Sequence, residues 1–390
     1  MSAIRREVLT ADVVYSGMGT PLKDGAVVVE HENDRGVIID IGSSAEVARV
    51  WSDMPSRHVG FAISPPPVNA HTHLDLSSMP LVNDRYESFI PTVIAFAASG
   101  GRTLKAARTG TEQVLRSRVR HVGDIVTLPE VMEYLLAHEG LSGVAYWEVI
   151  SPDPAEADAK LQETIELVAG FRRHERPGGV RVGLTPHTPH TVSDDLMQKL
   201  ARFALANGLP MQIHVEESPL EKPMHLRGEG ELARVRREFD PGWQPPGVSA
   251  VNLLERLGVL EARPTLVHMV NVTEEEIRTV HRYGCSVVHC PRSNDQLYCG
   301  RFPWETYARH GVSVGIGTDS LASSPSLDVL EEAGYARDLH GDNASPLGLV
   351  RSVVKGGYQA LGLKPPVWRR GDDTGRLFIW DGKAAGRTDS

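Results

Sequence analysis

The chain has 390 residues, of which 41% are hydrophobic and 23% are charged, values typical of globular proteins. This length exceeds that of an ordinary domain, so we expect either two domains or one large α/β barrel with an attachment. The formal net charge is −9 and no block rich in lysine and arginine occurs. Because phosphate binding requires concentrated positive charge, we expect no nucleic-acid partner.

The sequence lacks targeting and membrane signals. The N-terminus turns polar at Arg5 and Arg6, too early for the apolar core of a signal peptide. No later segment approaches the ~18 uninterrupted apolar residues of a membrane span. We therefore expect a soluble, cytoplasmic protein with no membrane partner. Cys285, Cys290 and Cys299 lack Cys-x-x-Cys spacing and are predicted to be reduced structural residues, as a reducing compartment favours.

The first part of the chain is predicted to be rich in β-structure. Short apolar runs separated by turn residues predict three strands, Asp12–Tyr15, Gly25–Glu30 and Gly36–Gly42, followed by a helix at Ser44–Trp51. The proline-rich piece Ser64–Pro67 marks a junction, and Gly375–Trp380 is a candidate strand returning to the first sheet. We therefore predict a small β-rich domain at 1–64, which residues 366–390 would complete, and a barrel domain at 65–365.

From residue 66 onward, short apolar runs alternate with segments of helical periodicity, the pattern of β/α units around a parallel sheet. The predicted strands are Val68–His71, Val122–Val126, Gly143–Ile150, Val180–Leu184, Pro210–His214, Pro264–His268, Ser286–His289 and Val312–Gly317. The predicted helices include Asp158–Arg173, Asp194–Asn207, Val251–Leu257, Glu274–Tyr283 and Trp304–Arg309. These eight strands predict the α/β class, a (β/α)8 TIM-type barrel with a small β-rich domain formed by the N-terminus.

Histidines and carboxylates follow several of these strands. His71 and His73 lie one residue apart, and on a strand such residues point to the same face. His214, His268 and Asp319 each follow another apolar run. In a TIM-type barrel, catalytic groups lie at the C-terminal ends of the strands. The sequence therefore predicts that these side chains converge.

Three imidazoles and one carboxylate, from His71, His73, His214 and Asp319, form a donor set that suits Zn²⁺, and Fe²⁺ accepts the same set. A binuclear site would need a bridging lysine or glutamate at the end of strand three or four. Strand four contains no lysine, and Glu148 on strand three is followed directly by apolar or small residues. We therefore predict one divalent metal, which would lower the pKa of a bound water.

Two further residues suggest acid and hydrogen-bonding roles. Glu217 follows His214 by three residues, and burial would let it act as a general acid. His268 is placed to stabilise the nucleophile or a developing oxyanion. Both have simpler readings, since Glu217 could cap a helix and His268 could be a satisfied core histidine.

The motifs that contain these residues resemble the amidohydrolase superfamily, and more closely its mononuclear purine and cytosine deaminase branch, which also contains chlorohydrolases. They are His71–Asp75, Pro186–Thr191, His214–Glu217, Leu266–His268, Cys290–Asn294 and Gly317–Ser323. Within that branch, the stretches Gly183–Pro189, Pro264–Thr273 and Val353–Gly357 most resemble the aminodeoxyfutalosine deaminases of the futalosine route to menaquinone.

The resemblance implies a small-molecule purine nucleoside substrate, most closely 6-amino-6-deoxyfutalosine, attacked at C6. It implies that Glu217 protonates ring N1, that Asp319 carries the water's proton to the departing ammonia, that His268 holds the hydroxyl group and that His187 contacts the ribose. The benzoate of this substrate favours a pocket arginine, for which Arg292 is a candidate.

The chain departs from the family pattern in two places. His190 stands where the family usually has an aromatic residue, and no glutamate after strand one matches the one that adenosine-type deaminases carry there.

Other functions stay open at this point. An adenosine, S-adenosylhomocysteine or guanine deaminase, or a triazine chlorohydrolase, would keep the chemistry and change the ring or the leaving group. A non-catalytic barrel that binds a metal or ligand is the remaining alternative. A homodimer is one expected assembly, because barrels with an exposed apolar helix face often dimerise.

Overall fold

A computed structural model describes residues 4–32 and 35–380. Residues 1–3, 33–34 and 381–390, which belong to the predicted N-terminal domain and its C-terminal completion, lie outside the described residues.

The N-terminal part forms a sheet around β1. Its elements are β1 (Arg5–Val14), β2 (Leu22–Glu32), β3 (Arg35–Ser43), α1 (Ser44–Val50), β4 (Ser56–His58) and β5 (Ala62–Ser64). β1 to β3 are antiparallel neighbours, whereas β4 and β5 pair with β1 in parallel. α1 begins where predicted because Ser43 and Glu46 form a capping box. β4 and β5 were not predicted, since three residues are too few to show an alternating pattern.

Eight parallel strands form a closed barrel, which confirms the predicted fold class. They are β6 (Val68–Thr72), β7 (His121–Val126), β8 (Ser142–Val149), β9 (Val180–Pro186), β10 (Gln212–Val215), β11 (Thr265–His268), β12 (Ser286–His289) and β13 (Val314–Ile316). They run as two four-stranded sheets, β6 to β9 and β10 to β13. Parallel bridges at Leu184–Met211 and Thr72–Asp319 join the two sheets at both seams. β6, β10 and β11 are buried at every residue, and therefore on both faces, as a barrel wall requires.

Helices cover the barrel and carry its loops. They are α2 (Tyr86–Ala98), α3 (Leu104–Arg116), α4 (Pro129–Ala137), α5 (Ala157–Arg172), α6 (Asp194–Asn207), α7 (Glu221–Arg227), α8 (Glu231–Phe239), α9 (Ala250–Arg256), α10 (Glu274–Tyr283), α11 (Pro291–Gln296), α12 (Trp304–His310), α13 (Val329–His340), α14 (Pro346–Arg351) and α15 (Gly357–Ala360). α6 and α10 have the predicted ends, and α5, α9 and α12 differ from prediction by one residue at one or both ends. α10 is bounded by a Thr273–Glu276 capping box and by Gly284 in the left-handed conformation.

The chain returns to the first sheet at β14 (Phe378–Trp380), which pairs antiparallel with β5, within the predicted C-terminal strand. Trp380 is fully buried there, and its indole Nε1–H donates to Ser64 Oγ at 2.7 Å. The division of the chain at 64/65 and 365/366 stays a proposal. All three cysteines are free and buried. Among residues 4–32 and 35–380, no helix is both long and apolar enough to cross a membrane.

Candidate active site

The C-terminal ends of the barrel strands bring the predicted histidines and Asp319 together. The ring centroids of His71 and His73 are 4.9 Å apart, and His214 lies 4.9 Å from His71. Asp319 Oδ1 lies 3.6 Å from His71 Nε2 and 3.5 Å from His73 Nε2. His268 stacks on His214, with 5.5 Å between the ring centroids. Side chains from four strands thus meet in one buried cluster.

The backbone is unusual where the strands deliver these groups. Glu216, His268 and Asp319 have φ values of 48°, 71° and 59°, a left-handed conformation that non-glycine residues rarely adopt. Such residues cost about 1–3 kcal/mol each and concentrate at functional sites. Of the three, His268 and Asp319 belong to the cluster, whereas Glu216 Oε1 accepts a hydrogen bond from the backbone N–H of Ala250 at 3.0 Å.

Hydrogen bonds orient two of the imidazoles toward the middle of the cluster. His214 Nδ1 donates to the carbonyl oxygen of His187 at 3.0 Å, so its lone pair lies on Nε2. His71 Nδ1 lies 3.0 Å from Gln212 Oε1, and the Gln212 amide donates to the carbonyl oxygen of Ala70 at 2.8 Å. His71 Nε2 is buried and has no hydrogen-bond partner. A buried acceptor without a partner is what a metal ligand presents when its other nitrogen is held in this way.

Asp319 is held by two hydroxyl groups. Ser293 Oγ and Ser323 Oγ donate to Asp319 Oδ2 at 2.7 and 3.0 Å, which leaves Oδ1 facing the histidines. Burial raises the pKa of Asp319, but its interactions with His71 and His73 outweigh burial, and the pKa lies well below its usual range. Asp319 is therefore an anion at neutral pH.

Glu217 and His268 form the opposite side of the cluster, with Oε1 and Nε2 3.6 Å apart. Burial, together with the charges of Asp319 and Glu221, raises the pKa of Glu217 well above its usual range. Burial likewise lowers the pKa of His268 to about 3, and Asn294 Nδ2 lies 3.0 Å from its Nδ1. The pair therefore combines a carboxyl group whose protonated form is favoured with a neutral imidazole.

A second glutamate shapes the turn that carries Glu217. The Glu221 carboxylate accepts hydrogen bonds from the backbone N–H groups of Glu216, Glu217 and Ser218 at 2.8, 2.6 and 3.0 Å. This arrangement holds the loop after β10, and Tyr86 acts to lower the pKa of Glu217 against the larger effect of burial. Glu221 thus fixes the backbone at Glu217 and at the residue on either side of it.

The donor geometry suits a cation. Three overlapping sets each place one ligand atom per residue within 4.8 Å of one another: His71, His214 and His268; His71, His73 and Asp319; and Glu217, His268 and Asp319. Burial lowers the pKa of His73 and of His214 well below the usual value, so both rings are neutral and able to bind a metal.

A cavity of about 610 Å³, here called the outer cavity, is lined by residues of α2 and α8 and by His187. His187, whose ring centroid is 5.1 Å from that of His214, lines the outer cavity together with Glu148 and His190. Arg292, the arginine suggested for a substrate carboxylate, is not among the lining residues. It instead faces Glu331 and Glu332 at 3.5 and 3.8 Å.

Sequence reasoning missed several residues that support the site. Gln212 lies two positions before His214 on the same strand face, and this spacing could have revealed it. Ser293, Asn294 and Ser323 stand inside the motifs quoted above, but nothing in the sequence showed what they contact. Tyr86 comes from α2, far from any strand end, and had no sequence signal.

A family model described as the amidohydrolase family matches residues 62–367. The aminodeoxyfutalosine deaminase of Deinococcus radiodurans is 43% identical over 389 residues, covering 96% of this chain and 90% of that protein. Helicobacter pylori aminofutalosine deaminase, solved with methylthio-coformycin, shares the fold with a TM-score of 0.74 at 19% identity, covering 97% and 94% of the two chains. An adenosine deaminase from Xanthomonas campestris, solved with bound zinc, has a TM-score of 0.69 at 25% identity, covering 94% and 82%.

Proposed function

The chain belongs to the amidohydrolase family, and on this premise we propose that it is a metal-dependent hydrolytic deaminase that removes the 6-amino group of 6-amino-6-deoxyfutalosine, in the futalosine route to menaquinone. Water replaces the amine at purine C6, and ammonia leaves. The observation that carries this proposal is the meeting of Glu217 and His268 with the cluster of three imidazoles and Asp319, in a chain so similar to a deaminase of that name.

His71, His73, His214 and Asp319 would hold one divalent cation. The N3O donor set favours Zn²⁺, and Fe²⁺ accepts it too. Such a cation acts as a Lewis acid that makes water nucleophilic at neutral pH. His71 Nε2 is buried and has no hydrogen-bond partner, which supports this assignment. Burial of an unpaired imidazole nitrogen is unfavourable unless another ligand, such as a metal ion, binds it.

Glu217 supplies the proton that the ring needs. Its raised pKa favours the protonated carboxyl group, which can donate to N1 as the nucleophile reaches C6. Protonation of N1 makes C6 more electrophilic and neutralises the charge that attack would place on the ring. Glu221 keeps this donor aimed by fixing the backbone beneath it.

Asp319 and His268 serve the nucleophile and the leaving group. Asp319 is anionic, so it can accept the proton of the attacking water and pass it to the departing amine. His268, neutral and 3.6 Å from Glu217, holds the oxygen at C6 by a hydrogen bond. His187 lines the outer cavity beside His214 and is our candidate contact for the ribose.

The partner of this enzyme is a small molecule. The absence of a nucleic-acid partner, a homodimeric state and a cytoplasmic location stay predictions.

Two measurements test the function. The metal-loaded protein should release ammonia from 6-amino-6-deoxyfutalosine much faster than from adenosine, S-adenosylhomocysteine, guanine or a chlorotriazine. Equal turnover of adenosine, or turnover of another compound in this panel alone, would transfer the assignment to that substrate. No turnover of any of them by metal-loaded protein would favour the non-catalytic barrel.

Glu217→Gln tests the acid. The variant should retain its metal, since Glu217 is not among the proposed ligands, and should lose at least ~10²-fold in kcat, the usual contribution of general acid catalysis. Asp319→Ala is the contrasting variant, because it should lower metal content and rate together. A Glu217→Gln protein with an undiminished rate would remove Glu217 from the mechanism.

A further inference from the structure

We propose that Arg236, on the α8 wall of the outer cavity, binds the carboxylate of the substrate's benzoate, and so selects carboxyaryl nucleosides over plain ones. This inference rests on the proposed function, and it is argued from the contacts of Arg236 and from the residues that line the cavity around it. No role was assigned to this residue from the sequence.

The walls of the outer cavity suit an aromatic ring. α2 contributes Ile90, Val93 and Ile94, and α8 contributes Leu232, Val235 and Phe239. Ile94 and Phe239 are 59% exposed although both are large and apolar. A substrate that placed only a ribose here would leave these side chains against water, whereas an aryl group would cover them.

Arg236 is the charged residue of α8 on this wall, and it is 5% exposed. Its Nη1 donates to the carbonyl oxygen of Pro152, and its Nη2 lies 3.4 Å from Asp240 Oδ2. Its Nε is buried and has no hydrogen-bond partner. Nε–H and Nη2–H form one edge of the guanidinium fork, and a carboxylate is the anion that this edge binds in a bidentate manner.

Asp240 does not occupy that edge fully. The Nη2–Oδ2 distance of 3.4 Å exceeds the ~2.7–2.9 Å of a charge-assisted hydrogen bond, and Asp240 does not accept a hydrogen bond from Nε. Asp240, Asp194 and Asp153 act on the charge of Arg236, so what is left uncompensated is its buried Nε–H donor, which is costly without an acceptor. A substrate carboxylate would supply the missing acceptor.

The other arginine that lines the outer cavity, Arg102, already forms an ion pair. Arg102 Nη1 donates to both oxygens of Asp75, at 3.0 and 3.3 Å, and Thr127 donates to the same carboxylate at 2.8 Å. The charge of Arg102 also acts on His73 and His187, which places it at the inner, metal-facing end. The amine and the benzoate lie at opposite ends of the substrate, so the carboxylate belongs at Arg236 and not at Arg102.

The test compares the metal-loaded full chain on 6-amino-6-deoxyfutalosine and on its methyl ester, which differ only in the charge of the carboxyl group. Arg236→Met should raise KM for the acid by about 10- to 150-fold, the range for hydrogen bonds to a charged group, with little change in kcat. KM for the ester should not change. Arg237→Met is the matched control, because Arg237 is the exposed neighbour of Arg236 on α8. This substitution should change KM for neither compound.

Arg236→Lys keeps the charge but not the fork, so it should raise KM for the acid by a smaller factor and still spare the ester. It also carries the test if Arg236→Met does not fold. If KM rises equally for the acid and the ester in the variant that folds, Arg236 only supports the loop at Pro152. If KM is unchanged for both, Arg236 does not contact the carboxylate. Either result overturns the proposal. A wild-type protein inactive on both compounds would instead refute the proposed function.

Discussion

Replacing Gln212 by methionine should weaken metal binding although Gln212 contacts no metal. Gln212 is fully buried between His71 Nδ1 and the carbonyl oxygen of Ala70, at 3.0 and 2.8 Å. Methionine fills a similar volume but offers neither the amide donor nor the amide acceptor. The His71 ring would then lose the contact that fixes its proton on Nδ1 and its lone pair on Nε2.

The expected magnitudes follow from these two contacts. Loss of a residue that orients a metal-binding histidine typically costs 10- to 100-fold in metal affinity, or about 1.4–2.8 kcal/mol. His71 Nδ1–H and the carbonyl of Ala70 would also stay buried without partners. At about 1–3 kcal/mol for each such group, the free energy of unfolding of the metal-free protein should fall by about 2–6 kcal/mol.

The assay is competition with a chromophoric chelator, which gives the dissociation constant for Zn²⁺, combined with urea unfolding of the metal-free protein. Gln198→Met is the control, because Gln198 also donates to a backbone carbonyl, that of Leu257 at 3.0 Å, but lies on α6 away from the cluster. It should leave the metal affinity unchanged. An unaltered affinity in Gln212→Met, or an equal loss in Gln198→Met, would refute the orienting role of Gln212.

Three shorter predictions concern the same cluster. Gly317→Ala should lower metal occupancy, measured by elemental analysis, because an added Cβ would lie 2.8–2.9 Å from His71 Cβ, N and O; normal occupancy would mean that the strands can separate. Burial raises the pKa of Glu221 to about 7 from its ordinary 4.5, so protonation of Glu221 stabilises the folded state at low pH. This stabilisation is lost as pH rises from 4.5 through 7. Glu221→Gln should therefore flatten the fall in unfolding free energy over that window, and an unchanged slope in urea titrations would contradict it. Chelation of the cation should lower the melting temperature, since a ligand at 1,000 times its dissociation constant stabilises the folded state by about 4 kcal/mol; an unchanged melting temperature would exclude a tightly held ion.

The barrel and the meeting of His71, His214 and Asp319 were predictable because both follow from local patterns. Alternation of apolar runs and helices identifies the strands, and the fold itself places their C-terminal ends on one face. The residue spacing on β6 and β10 then decides which side chains point inward. This part of the site required only periodicity and strand order.

The outer cavity was not predictable in this way, because its walls come from helices whose direction no local pattern reports. Arg292 follows β12 directly and looked well placed, but α11 turns its side chain toward Glu331 and Glu332. Arg236 is nineteen residues beyond Glu217, on a helix that sequence reasoning did not identify. Its position depends on how α8 packs against the loop at Pro152, which is a tertiary property.

The bridge between Thr72 and Asp319 has a consequence for how the protein matures. It joins the first strand of the barrel to the last, and the backbone N–H of Asp319 donates to the backbone carbonyl oxygen of His71 at 3.1 Å. During synthesis, the ribosome must therefore release β13 and Asp319 before His71 and Asp319 can bind the same cation. A bound ion would contact residues from the first and the last strand of the barrel, so we expect metal binding to stabilise the closed ring.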